Sequence, residues 1–257
     1  MKKLILIILF VFSCLPIDLS IADEWLEAKS SHFIVYYKDA KESFINRVIE
    51  KSEGYYDKIA DDLGFRRYNF WLWDNRAKIY IYNDADDYQV STGQPAWSSG
   101  SAIPKDKIIR TFPGANDFFD RILPHEMGHI IFREFVGFDN NAVPVWLDEG
   151  VASLEEGSKY SSANMLVKQA IRNEDFIGLK ELAGLNPHLM PDDKSVNLFY
   201  AESASIAGFL IKEFGKDSFV LFCQNLRDKK DLERSISYVY PFRNIDELSR
   251  AWQEHLE

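Results

Sequence analysis

The chain has 257 residues, 46% of them hydrophobic, 14% aromatic and 27% charged, a composition that excludes collagen-like, low-complexity and disordered chains. The length suffices for one largish domain or two small ones, with ample material for a core. Thirty Lys and Arg against 40 Asp and Glu give a net charge of −10, and no basic block interrupts it, which argues against a nucleic-acid groove or an anionic-lipid surface.

The N-terminus reads as a signal peptide over residues 1–22. Lys2 and Lys3 are followed by an apolar run over 4–12 and by small residues at Ser20 and Ala22, the pattern of a cleaved leader. The run is too short to span a bilayer, so no transmembrane segment is expected once the leader is gone. The mature chain, from about Asp23, is then extracytoplasmic, either periplasmic or secreted. A lipid-modified Cys14 is a rival reading, which the bulky Phe12 fits poorly. Without Cys14 the chain holds Cys223 alone, which allows no intrachain disulfide. Cys223 lies in an apolar stretch and reads as a small buried hydrophobe.

No repeat or Gly/Ser linker divides residues 23–257, so a single domain is expected. Residues 32–37 (HFIVYY) form a strand of aromatic and β-branched residues. Residues 41–63 follow with helical apolar spacing, stopped by Gly64. The run Tyr68 to Trp73 is strongly aromatic and reads as core. Strict alternation over 78–82 predicts a second strand with a turn at Asn83 and Asp84, and a third is expected at 107–112 after the Ser/Gly-rich segment 98–101. From Asp120 onward helices are predicted near 120–136, 144–156, 162–173, 195–214, 216–227, 230–239 and 245–256. Gly137 and Gly215 stand where helix C-caps belong, and Asn244 where an N-cap belongs. Strands followed by helices predict an α+β fold.

The segment Leu123-Pro124-His125-Glu126-Met127-Gly128-His129 carries the chemistry. Two histidines four apart share one face of a helix, so both can bind one zinc ion. Glu126 follows the first and can reach a water there without being a ligand itself. Pro124 is tolerated in a first turn, where its missing N–H costs little. A second helix start, Val145-Trp146-Leu147-Asp148-Glu149-Gly150, offers Glu149 after room for a turn and an antiparallel return. Two His and one Glu leave a fourth zinc position open, as catalytic sites do. His32, His188 and His255 fall at a strand start, in a loop and near the C-terminus, with no such company. No nucleophile elbow or phosphate loop is present.

HEMGH followed by WLDEG resembles the gluzincin zinc metallopeptidases, and in particular the peptidase MA-like domain proteins. The resemblance covers most of residues 30–257. It implies a thermolysin-like zincin in which a small N-terminal sheet-plus-helix lobe (about 30–137) and a helical C-terminal lobe (about 144–257) flank the HExxH helix. It further implies His125, His129 and Glu149 as zinc ligands, a zinc-activated water with Glu126 as general base, and hydrolysis of peptide or protein substrates. Tyr200 is a candidate oxyanion donor by analogy. The strand at 107–112, or residues 97–102, would serve as a sheet edge along the cleft for an extended substrate. One departure stands out: where relatives carry an Asp that orients the first His, four residues after the ligand Glu, this chain has Ser153. That departure motivates an alternative, a weakly active or inactive zinc-bound envelope binding or assembly module of the same fold.

Overall fold

A computed structural model describes residues 25–257 apart from 69–70, 97 and 158, and leaves the side chain of His188 undescribed. The leader over 1–22 and Cys14 lie outside the described residues.

The first half builds one mixed five-stranded sheet. β1 (Leu26–Lys29) turns back antiparallel onto β2 (Phe33–Tyr37). Helix α1 (Glu42–Asp62) then crosses to β3 (Ala77–Ile81), which runs parallel to β2. β5 (Ile108–Thr111) lies parallel to β3, and β4 (Gly100–Ile103) pairs antiparallel along the outer side of β5. The order β1-β2-β3-β5-β4 leaves β4 at one edge. Period-2 alternation sends Phe33, Val35, Ile79, Ile81 and Ile109 into the core, while Tyr36 and Tyr80 stack on the opposite face. A short helix, α2 (Ala85–Thr92), is capped by the Asp84 carboxylate, which accepts from the backbone N–H of Asp87.

Within the aromatic run Trp71 is fully buried and Trp73 is 80% exposed, so only part of the run belongs to the core. The Trp71 indole N–H donates to Glu134, whose other carboxylate oxygen takes Lys107 Nζ at 3.0 Å.

A π-helical turn at Phe118–Ile122 leads into α3 (Leu123–Val136), which has Pro124 in its first turn and Gly137 at its C-cap with φ +98°. The helical half continues with α4 (Val145–Leu154), α5 (Lys159–Arg172), the single turn α6 (Leu179–Leu182), α7 (Asp193–Phe214), α8 (Lys216–Lys229), α9 (Leu232–Val239) and α10 (Ile245–Leu256). Asn244 caps α10 by accepting from Glu247 N. α7 is buried almost continuously from Leu198 to Ile211, because α4 and α5 cover it. The approach of α4 is set by Gly150: a Cβ there would stand 2.2 Å from the Ser203 carbonyl oxygen. Cys223 is fully buried. Among the described residues no helix is long and apolar enough to cross a membrane.

This is a mixed α+β architecture, with every strand and long helix of the sequence reading present and ends shifted by a few residues. The substrate-edge expectation needs a correction. Strand β5 has neighbours on both sides, so 107–112 is interior, and the free edge belongs to β4.

Candidate metal centre

α3 presents His125 and His129 on one face, one turn apart, and α4 presents Glu149 opposite them. The three donor atoms form a small triangle. His125 Nε2 and His129 Nε2 are 3.1 Å apart, and Glu149 Oε2 lies 3.7 Å from the first and 3.5 Å from the second. Tetrahedral donors about 2.0–2.1 Å from a zinc ion stand about 3.3–3.4 Å from one another, so the three side chains fit one such ion. They also form the one three-member His/Cys/Asp/Glu group of this kind among the described residues.

Each histidine is held from behind. His125 Nδ1 is 2.8 Å from Glu156 Oε1, and His129 Nδ1 is 2.9 Å from Asp148 Oδ1. An imidazole that donates from Nδ1 to a carboxylate has its tautomer fixed, with the Nε2 lone pair turned to the shared point. Asp148 is in turn gripped by Arg133, whose Nε donates to Oδ2 at 2.6 Å. Burial pushes the Asp148 carboxyl up, but His129 and Arg133 outweigh it and hold the group below its usual range. Glu156 follows the same pattern: burial raises it, while His125, Lys159 and Arg121 bring it down. For His129 burial disfavours the charged ring, yet Asp148 and Glu149 raise its pKa well above the ordinary value.

Ser153 does not take part. Its hydroxyl is buried with no hydrogen-bond partner, and the acceptor for His125 is Glu156. The expected departure from the family pattern is thus compensated two turns beyond Glu149 rather than one. That spacing is the signal that could have found it: Glu156 lies seven residues after Glu149, on the same helical face, just past the end of α4.

His125 borders a cleft of about 1040 Å³. Glu126, Glu156 and Tyr200 line it too, so the structure brings the predicted Glu and Tyr to the same space as the first histidine of the triangle. Burial, together with the carboxylates of Glu149, Glu156 and Glu126, pushes the Tyr200 phenol up to about 12, so it remains an O–H donor across the neutral range. Ser98, Ser99 and Gly100 line the cleft at the entry to β4. Two hydrogen bonds fix that segment: the Thr111 hydroxyl donates to the Ser99 carbonyl at 2.8 Å, and the Tyr88 and Ser98 hydroxyls meet at 3.0 Å.

With that geometry in place the comparison with known families is decisive, since the peptidase MA superfamily model matches residues 72–257. The chain belongs to the peptidase MA superfamily. The match takes in β3 to β5 and every helix from α2 onward, hence all of the residues just described. It identifies a peptidase-like domain, in a superfamily whose members are usually zinc-dependent. No match is found among curated proteins.

Two other histidines have structural company. His32 pairs through Nδ1 with Glu53 at 2.6 Å and stacks on Tyr56, and His255 rests on Phe209.

Proposed function

We propose that the protein is an exported zinc-dependent peptidase whose metal ligands are His125, His129 and Glu149, with Glu126 as general base. The observation that carries this reading is the triangle of three donors, each histidine backed by its own carboxylate, at the wall of a cleft that Glu126 and Tyr200 share. We take residues 23–257 as one domain with a thermolysin-like arrangement, its N-terminal lobe over about 30–137 and its helical lobe over about 144–257, released from a leader at 1–22.

A zinc ion held by these ligands supplies Lewis acidity, polarising a peptide carbonyl and easing deprotonation of a water molecule. Glu126 takes the proton of the attacking water as the new C–O bond forms. The same carboxyl then delivers it to the amine nitrogen as the C–N bond breaks. Tyr200 donates its O–H to the oxygen on which negative charge develops, and its raised pKa suits it to give a hydrogen bond without losing the proton. The free edge of β4 offers backbone groups to an extended substrate. The alternative of a weakly active binding module drew in part on Ser153, and it is not favoured because Glu156 offers His125 the carboxylate that Ser153 lacks.

The test is Glu126→Gln beside the wild type, assayed for zinc content and for peptide hydrolysis. Retained zinc with hydrolysis abolished is the expected result; undiminished hydrolysis removes Glu126 from the mechanism.

A further inference from the structure

One wall of the cleft is a single helix face. Lys159, Ser162, Leu166 and Gln169 of α5, with Asn173 just past its end, line it at alternating intervals of three and four, the repeat that keeps side chains on one side of a helix. Ala163 and Ala170 lie on the same face and are buried, Val167 is buried outside the lining, and α5 packs on α7, so the wall is rigidly based. From Lys159 to Arg172 the helix rises about 20 Å, the length of about six extended residues. A groove of that reach suits a chain segment rather than a single terminal residue.

The charges along this wall are unequal in their availability. At the far end Lys194 is bound to Asp175 at 3.0 Å. At the near end Arg121 and Lys159 line the cleft together with His125, Glu126 and Glu156. Glu156 is committed to His125 at 2.8 Å, whereas Lys159 Nζ is 3.6 Å from its other oxygen, too long for a hydrogen bond. Arg121 pairs with Asp117 at 4.0 Å, with both side chains largely exposed, a pairing of little strength. Two weakly paired cations thus line the cleft beside His125 and Glu126, in a chain of net charge −10.

We propose that α5 is the specificity wall and that it selects extended peptide segments bearing an acidic side chain beside the scissile bond, held by Lys159 and Arg121. The proposal rests on the peptidase reading above and names the substrate class for the same site. Lys159 and Arg121 contribute to choice among substrates, and Glu126 and Tyr200 to the reaction itself.

The experiment uses the zinc-loaded full mature chain and a set of ten-residue peptides in which Glu, Gln or Lys is placed in turn at each position. At one position the Glu peptide should exceed the Lys peptide in kcat/KM by about fivefold or more. That ratio should collapse toward one in Lys159→Gln and in Arg121→Gln, with zinc content unchanged. A ratio near one at every position, or the same ratio in both variants, overturns the proposal. If the wild type cuts none of the peptides, the peptidase reading fails. The selection is then read by fluorescence anisotropy of labelled Glu and Lys peptides on zinc-loaded Glu126→Gln. Tighter binding of the Glu peptide, lost when Lys159→Gln is added, keeps the proposal; equal affinities overturn it.

Discussion

Replacing Glu156 by Ala should weaken zinc binding about 10- to 100-fold, although Glu156 touches no metal. The carboxylate is largely buried and takes His125 Nδ1 at 2.8 Å, a short charge-assisted contact that fixes both ring orientation and tautomer. Removing it lets the ring turn and lowers the basicity of Nε2, and for ligating histidines such losses are worth about 1.4–2.8 kcal/mol of metal affinity. Glu156→Gln keeps an acceptor without the charge and should fall between. Ser153→Ala is the control: its hydroxyl is buried and unpartnered, so deleting it should leave zinc affinity unchanged and stability equal or slightly higher. The assay is competition against a chromophoric chelator at fixed pH. Affinity in Glu156→Ala within twofold of wild type, or a larger loss in Ser153→Ala, refutes the reasoning.

Four further outcomes follow from the structure. Tyr200→Phe should lower kcat by about 10²–10³ while zinc content stays at wild-type level, and an unchanged kcat removes the phenol from the reaction. A Cβ at Gly150 would meet the Ser203 backbone at 2.2 Å, so Gly150→Ala should cost about 3 kcal/mol in urea denaturation, and a cost below about 1 kcal/mol would mean that α4 and α7 can separate freely. Zinc must displace a proton from His129, whose pKa stands well above 6.5, so affinity should fall with pH from above that value, and a flat profile down to it contradicts the shift. In the chelator-treated chain His129 should stabilise fully below its ordinary value of 6.5 and lose that effect as pH rises through its higher folded value. Asp148 should stabilise above 3.8 and fade as pH falls through its lower folded value, which denaturation at a series of pH values reads directly.

The features legible in the sequence are those fixed by local periodicity. The alternation of 78–82 and the stripe of α1 read correctly because burial acts on neighbouring residues in the same chain segment. β1, β4, α2 and α6 were not legible. LEAK is exposed and charged, and GSAI is small and flexible, so neither has strand character until β2 and β5 pair with it. Asp84, read as part of a turn, is the cap that starts α2. At the centre, His125, Glu126 and His129 were legible from spacing within one helix, and Glu149 from the start of the next. The role of Glu156 was not, since it depends on α4 crossing α3 at the distance that Gly128 permits. Arg133 went unread for the same reason.

The grip of Arg133 on Asp148 carries a consequence for how the protein matures. Arg133 sits one turn after His129 on α3, and Asp148 precedes Glu149 on α4, so one ion pair locks together the two helices that carry the proposed ligands. His125 and His129 are held by bonds between protein groups, unlike the ligands of a zinc finger, whose chain is ordered by its ion. On the reading proposed above, folding and metal loading would be separable events: the chelator-treated chain should keep its fold and take up zinc afterwards.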